Sequence, residues 1–112
     1  MLFRSERICR ILEEVLPEDA LLVSDTGHSG MWTGGVIDLR PGQGYIRCAG
    51  SLGWGFPGAL GVKCALPDQA VICFSGDGGF YYHLAEIETM ARYGINLIVV
   101  VNNNAEIGRA HV

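Results

Sequence analysis

Two short turns carry oxygen ligands that suit magnesium, and each follows an apolar run. Gly76-Asp77-Gly78-Gly79 follows the run at 70–75, and Asn102-Asn103-Asn104 follows the run at 96–101. Mg²⁺ takes hard oxygen ligands alongside phosphate oxygens, and Asp77 offers a carboxylate while asparagine offers a neutral amide oxygen. Glycines also let the backbone approach a phosphate closely. The pair therefore predicts a site for Mg²⁺ and a phosphorylated ligand, although either segment alone is also typical of an ordinary turn.

A third polar loop, Asp25-Thr26-Gly27-His28-Ser29-Gly30, directly follows the apolar residues 20–24. His28 in such a loop is also typical of a solvated polar residue. Ligands of open parallel sheets bind at the carboxyl ends of the strands. Since all three polar loops follow apolar runs of strand length, we expect them to meet at one edge of the sheet.

The elements that must position these loops alternate along the chain. Continuous apolar strands that alternate with helices indicate a parallel sheet covered on both faces. We expect an α/β fold: a truncated, doubly wound parallel sheet with helices on both faces. In the last predicted helix, Leu84, Ile87, Met90 and Ala91 share one face. The predicted strands are 20–24, 45–48, 70–75 and 96–101, and the predicted helices are 8–16, 53–66 and 82–93.

Composition and charge argue against several classes of binding partner and against a membrane span. The 112 residues are 49% apolar and 18% charged, so the chain can bury a core. The formal net charge is -4, and the basic residues form no run, which argues against a nucleic-acid partner. The longest strongly apolar run, 97–101, is far too short to span a membrane. Charged residues interrupt the start, so no signal peptide is predicted there.

The four cysteines indicate neither a zinc site nor a redox motif. No two of them form a CxxC pair, and no histidine accompanies them at zinc-finger spacing. We expect them to be small buried apolar residues in a protein of the reducing cytoplasm. They are Cys9, Cys48, Cys64 and Cys73.

The two turns together resemble the signature of the thiamine-diphosphate enzyme family, which is GDG, an intervening helix and strand, and then NN. Here GDG is 76–78 and NN is Asn103-Asn104. The resemblance implies that Asp77 and the Asn104 side chain coordinate Mg²⁺, with the backbone carbonyl at Glu106 as the next ligand. It also places Gly76, Gly78 and Gly79 among the cofactor-binding residues, the last two through backbone N–H groups to the diphosphate.

Two further segments carry the same resemblance. Residues 24–32 look like the first diphosphate loop of acetolactate synthases and related 2-oxoacid enzymes, which implies that Gly27, His28 and Ser29 contact the diphosphate. Residues 50–57 resemble the family's segment under the cofactor. There the Gly50 carbonyl would accept from the aminopyrimidine, and Leu52 would prop the cofactor into its bent shape. Many relatives have Met or Ile at that position, and plain core packing is the alternative role for Leu52.

The resemblance also implies residues that this chain lacks. The family's activating glutamate lies on a separate pyrimidine-binding domain of the same or a neighbouring chain, for which the chain has no room. Glu86 and Glu88 are better explained as a solvated or capping face of their helix. No residue of the chain is therefore a candidate catalytic residue, and we expect the isolated chain to have no turnover on 2-oxoacids.

Both ends of the chain match in-frame translations of common short-read sequencing adapters. Residues 1–5 correspond to GTG CTC TTC CGA TCT if GTG is read as a start codon, and residues 107–112 correspond to ATC GGA AGA GCA CAC GTC. We expect a gene fragment with a partial thiamine-diphosphate-binding domain at 6–105 and non-native residues at 1–5 and 106–112. Gly108 would then not be a family residue. The alternative is a genuine short protein with coincidental ends.

The resemblance covers about 6–105 and implies a parent enzyme, a homo-oligomer, that makes or breaks a carbon–carbon bond beside the carbonyl of a 2-oxoacid. The leading hypothesis is an acetolactate-synthase-like enzyme whose cofactors are thiamine diphosphate and Mg²⁺. The alternatives are a 2-oxoacid decarboxylase and the cofactor-binding small subunit of a two-chain enzyme. A genuine subunit would have an adjacent gene for the pyrimidine domain, whereas a fragment would have that domain upstream in the same reading frame.

Overall fold

The computed structural model describes residues 2–107 and 110–111, and the expectation for Gly108 lies outside them. Four strands form one sheet in the order β2-β1-β3-β4, and all neighbouring pairs are parallel. A short antiparallel pair, β5 and β6, follows. The elements are α1 (Leu2–Val15), β1 (Leu21–Ser24), α2 (His28–Val36), β2 (Gly44–Arg47), α3 (Gly55–Ala65), β3 (Val71–Gly76), α4 (Asp77–Tyr82), α5 (Glu86–Arg92), β4 (Ile98–Asn102), β5 (Glu106–Ile107) and β6 (Ala110–His111).

Helices cover both faces of the sheet, as the apolar pattern predicts. Successive side chains of a strand point to opposite faces, so Leu22 and Val23 of β1 enter two different cores. The first core joins strand residues to α1 and to partly buried residues of α2, with Phe74 fully buried in it. The second joins the opposite strand face to α3, through Phe56, Ala59 and Leu60. The doubly wound α/β fold is therefore confirmed.

One helix was not predicted from the sequence. Residues 28–36 (HSGMWTGGV) form α2, although three of the nine are glycine and the apolar residues follow no helical period. Its helical state depends on contacts outside the segment, because glycine lowers helix propensity by about 1 kcal/mol relative to alanine. Sequence pattern alone gives little sign of such a helix.

The predicted helix at 82–93 is wrong in its extent. The chain becomes helical at Asp77, directly at the end of β3, and breaks at 83–85 before α5 begins. No residue of α5 is buried, and Leu84 and Ile87 are 38% and 46% exposed. The apolar face predicted for this helix is therefore mostly uncovered in the described structure.

The cysteines divide between the core and the surface. Cys9 and Cys73 are fully buried, Cys48 is partly exposed and Cys64 is exposed, so the expectation of burial holds for two of the four. Burial raises the pKa of the Cys9 thiol to about 11 and that of Cys73 to about 12, the latter with a further contribution from the negative charge of Asp25. Both buried thiols are therefore neutral packing groups at ordinary pH.

None of the helices in the described part of the chain has the length and apolar character that a membrane span requires.

Candidate functional site at the carboxyl ends of β1 and β3

The strand order creates a crevice between β1 and β3. From β1 the chain crosses through α2 to β2 on one side, whereas β3 lies on the other side of β1. The connections that leave β1 and β3 therefore diverge, and such a switch point is where open α/β sheets bind ligands. The loops after β1 and β3 both start there.

Asp25 is the buried centre of this crevice, with only 1% of its surface exposed. Its Oδ1 accepts from the Thr26 N–H at 2.8 Å, and its Oδ2 accepts from the Ser75 hydroxyl at 3.2 Å. The Gly53 N–H lies 3.1 Å from each oxygen. One carboxylate thus joins the loop after β1, the segment before α3 and the end of β3.

Several glycines let these segments approach one another. A Cβ at Gly79 would overlap the Asp25 carboxylate, and a Cβ at Gly55 would lie 2.8 Å from the Asp25 Cβ. A Cβ at Gly76 would lie 3.4 Å from the Ser29 Oγ. The glycine requirement at 79 and 55 therefore comes from tight packing around a buried carboxylate, in addition to any approach of a ligand.

A polar cleft opens above Asp25 and gathers most of the residues singled out from the sequence. Thr26 and Asn102 also line it, and Leu52 contributes the one apolar side chain among the lining residues that the structure describes. The predicted site residues in the lining are Gly27, His28, Ser29, Leu52, Gly76, Gly78, Gly79 and Asn104.

Gly50 lies beside this lining. Its N–H donates to the Thr26 Oγ1 at 3.2 Å, and its φ of 82° lies in the left-handed region. Glycine adopts that region without the cost that a Cβ imposes. The segment that begins at Gly50 is therefore tied directly to the loop after β1.

Asp77 has a buried oxygen that the described residues leave without a hydrogen-bond partner. The residue is the first of α4, lies between Gly76 and Gly78, and is 8% exposed. Its Oδ1 is the unpartnered atom. Because a buried acceptor without a donor costs about 1–3 kcal/mol, this oxygen is suited to bind a cation.

The other predicted metal ligands come from the end of β4. The Asn104 Nδ2 lies 3.4 Å from the His28 Nδ1, which brings the NN segment next to the loop after β1. The Asn103 Oδ1 instead accepts from the Ala105 N–H at 2.9 Å and shapes the turn. Glu106 begins β5, which packs against α4, so the backbone at 106 runs beside the helix that starts with Asp77.

No group of three or more His, Cys, Asp or Glu side chains in the described residues is placed to hold a metal ion. A cation bound at Asp77 would therefore take amide, carbonyl or ligand oxygens for its remaining positions. That donor set is the one Mg²⁺ accepts, whereas zinc sites usually need nitrogen or sulfur ligands.

Comparison with known proteins shows the family to which the chain belongs. The family model described as thiamine pyrophosphate enzyme, C-terminal TPP binding domain, matches residues 25–110. The chain belongs to this family. Its members are thiamine pyrophosphate (thiamine diphosphate) enzymes, and the match begins at the buried Asp25 and spans all three polar loops.

Among the curated relatives of this chain are several acetolactate synthases. It is 38% identical over 91 residues to acetolactate synthase of Arthrospira platensis, covering 80% of this chain and 16% of the relative. It is 34% identical over 107 residues to the acetolactate synthase large subunit of Lactococcus lactis subsp. lactis (strain IL1403), covering 94% and 19%. It is 30% identical over 96 residues to the isozyme 1 large subunit of Escherichia coli (strain K12), covering 84% and 17%. The chain thus spans less than a fifth of the length of these relatives.

Two features of the site were missed from the sequence. The first is the central role of Asp25, whose burial depends on glycines far from it in the chain. The second is the polar network that holds α2 in place: the Thr33 Oγ1 donates to the Ser29 carbonyl at 2.8 Å and lies 2.8 Å from the Ser24 Oγ and 2.9 Å from the Tyr45 hydroxyl. Thr33 is 1% exposed, a burial that the glycine-rich sequence around it does not indicate.

Proposed function

We propose that this chain binds the diphosphate of thiamine diphosphate through Mg²⁺, as part of an acetolactate-synthase-like enzyme that acts on 2-oxoacids. The observation that carries the proposal is the buried, unpartnered Oδ1 of Asp77 at the start of α4, where the flanking glycines line the cleft. A cation there satisfies this oxygen and offsets the charge of a diphosphate. Asn104 and the backbone carbonyl of Glu106 supply further neutral oxygens.

The loop after β1 supplies the groups for the diphosphate. Gly27, His28 and Ser29 lead into α2, and the first backbone N–H groups of a helix have no carbonyl partner within it. These donors and the helix dipole favour an anion at this end. When the Asn104 Nδ2 donates to the His28 Nδ1, a neutral His28 carries its proton on Nε2 and can donate it to a phosphate oxygen.

Gly76, Gly78 and Gly79 form the opposite wall of the cleft and let the diphosphate lie close to the backbone. Gly50 and Leu52 hold the organic part of the cofactor, with Leu52 as the apolar contact. When bound, thiamine diphosphate supplies the chemistry that makes or breaks the carbon–carbon bond beside a 2-oxoacid carbonyl. The chain's own residues bind and orient it.

The full enzyme includes a pyrimidine-binding domain on the same or a neighbouring chain and is a homo-oligomer. The family match and the acetolactate synthase relatives support this architecture, since the chain covers less than a fifth of each relative. A cytoplasmic location fits a chain whose four cysteines are all unpaired.

The metal role is tested by calorimetric titration of the chain with thiamine diphosphate, with Mg²⁺ present and after its removal by chelation. We expect binding only with the metal. Asp77→Ala lowers the affinity in Mg²⁺ by at least about tenfold, or ~1.4 kcal/mol. Asp68→Ala, which removes an exposed carboxylate far from the cleft, is the matched control and keeps the affinity of the wild type. Equal binding by wild type with and without Mg²⁺, and by Asp77→Ala, would refute the metal role.

A further inference from the structure

Gly53 is fixed at both of its peptide groups by side chains from two other segments. It ends the stretch 50–53, which is part of the connection between β2 and α3, and has a φ of 91°. Its N–H donates to the Asp25 carboxylate, 3.1 Å from either oxygen. Its carbonyl lies 2.8 Å from the Nδ1 of His83, in the turn after α4.

The contact with His83 fixes the protonation of that ring. A carbonyl oxygen can only accept a hydrogen bond, so the His83 Nδ1 must carry the hydrogen. In the neutral ring, Nε2 is then the unprotonated nitrogen. His83 is exposed, so packing does not restrict the rotation of its side chain. The hydrogen bond to Gly53 is therefore what orders it.

The packing around position 53 also leaves no room for a side chain. A Cβ there would lie 2.7 Å from the Tyr82 Cβ and 3.2 Å from both the Gly79 carbonyl oxygen and the His83 Nδ1. Gly53 is thus pressed against the end of α4, the helix that starts with Asp77. The position of the 50–53 stretch is therefore coupled to the Gly76–Gly79 turn.

This stretch sets the position of Leu52, whose side chain is apolar in a cleft lined otherwise by glycines and polar residues. An apolar side chain does not recognise a diphosphate, but it provides a contact for the rings of an organic ligand. The loop after β1 and the Gly76–Gly79 turn face the charged part of such a ligand. The stretch held by Asp25 and His83 faces the uncharged part.

We propose that Asp25 and His83 are positioning residues that clamp Gly53 and thereby hold Leu52 against the ring portion of the bound cofactor. The inference rests on the proposed function and assigns the clamp to one part of the cofactor. Asp25 also binds Thr26 and Ser75, so its loss disturbs the diphosphate loops as well. His83 has the narrower role, because its side chain contacts the 50–53 stretch through one hydrogen bond.

The test compares two ligands, thiamine diphosphate and inorganic diphosphate, each titrated with Mg²⁺ into wild type, His83→Ala and His83→Asn. Losing a hydrogen bond that orders a loop lowers affinity by roughly tenfold. We expect His83→Ala to show that loss for thiamine diphosphate and to bind inorganic diphosphate as wild type does. His83→Asn restores the affinity for thiamine diphosphate, because its amide N–H can reach the Gly53 carbonyl from a similar position. His83→Phe, a ring without a donor, does not.

A second measurement needs no ligand. Nitrogen-15 NMR of the histidine rings, recorded above the titration range, is expected to show His83 protonated on Nδ1. A His83 ring protonated on Nε2, or a His83→Ala variant that binds both ligands as wild type does or loses both equally, would overturn the inference while leaving the proposed function in place. A wild-type chain that binds neither ligand with Mg²⁺ would overturn the proposed function and this inference with it.

Discussion

The carboxyl ends of β1 and β3 differ sharply from the outer side of β4, although all three strands belong to one sheet. Around the first region, Ser24, Asp25 and Ser75 are at most 1% exposed, and each has hydrogen-bond partners. Along the second, Ile98 and Val101 are 61% and 40% exposed. The chain therefore buries hydrogen-bonded polar groups at the cleft, with the Asp77 Oδ1 as the unpartnered exception among the described residues, and leaves apolar groups uncovered on the edge strand.

The two regions are consequently stabilised in different ways. The cleft is held by contacts within the chain, from Asp25 outward, so its shape exists before any ligand binds. The edge strand β4 exposes Ile98 and Val101, and α5 exposes Ile87. Exposed apolar side chains of this kind often mark contact surfaces. We expect β4 and α5 to pack against other parts of a longer protein, consistent with relatives of which this chain covers less than a fifth.

The largest expected effect comes from making the same substitution on β3, inside the sheet, and on β4, at its edge. Ile72 of β3 and Ile98 of β4 are register partners on neighbouring strands, but Ile72 is 4% exposed and Ile98 is 61% exposed. We expect Ile72→Ala to lower the free energy of unfolding by about 2–5 kcal/mol. Ile98→Ala should change it by no more than about 0.5 kcal/mol. Urea unfolding followed by circular dichroism measures both, and equal losses would show that β4 is covered in solution.

A pair of glycines gives the next largest effect, with opposite signs. A Cβ at Gly79 would overlap the buried Asp25 carboxylate, whereas a Cβ at Gly61, within α3, meets no atom within 4 Å. Gly79→Ala should destabilise the chain by about 1–3 kcal/mol through overpacking. Gly61→Ala should stabilise it by about 0.5–1 kcal/mol, because alanine favours the helix. If Gly79→Ala also proved stabilising in thermal unfolding, the tight packing around Asp25 would be contradicted.

The sequence predicted the sheet well because three of its four strands are nearly continuous apolar runs that end in polar or glycine-containing loops. All four predicted strands are present, with ends shifted by one or two residues. The three polar loops also converge, since the carboxyl ends of parallel strands share an edge.

The features that the sequence did not predict depend on contacts between segments distant in the chain. The burial of Asp25 follows from the absence of side chains at Gly55 and Gly79, and α2 is anchored through Thr33 to Ser24 and Tyr45. Neither arrangement leaves a local pattern. The start of α4 at the end of β3 was missed because the glycines at 78 and 79 have poor helix propensity.

The uncovered edge should also make the chain self-associate. β4 lies at the edge of the described sheet with one side unpaired, and such edges pair with other chains unless charges protect them. We expect sedimentation velocity to show concentration-dependent association. Ile98→Lys should shift the chain towards monomer, because a lysine on an edge strand opposes pairing.

Met31→Lys is the matched control for this prediction, because Met31 is 66% exposed but lies on α2, away from the edge. It should associate as wild type does. A monodisperse wild-type monomer with a cooperative thermal transition at about 45–65 °C, as in ordinary mesophile domains, would show that the β4 edge is stable without further cover.

The last expected effect lies beneath the cleft and appears only at high pH. Cys73 is fully buried in β3, and burial together with the charge of Asp25 raises the pKa of its thiol from 9.0 to about 12. The unfolded chain therefore loses this proton first as pH rises, so the stability that the protonated thiol contributes is complete below about pH 9 and is lost as pH approaches 12. Cys73→Ala should flatten the fall in stability over this range, measured by urea unfolding at a series of pH values. Cys64→Ala, which removes an exposed thiol, is the control.

Comparing the slopes of unfolding free energy against pH separates the ionisation of Cys73 from the cost of the cavity that its removal creates, because the cavity cost does not vary with pH. A Cys73→Ala slope equal to that of wild type would mean that water reaches β3 beneath the cleft and that this region is less tightly closed than the burial of Asp25 implies.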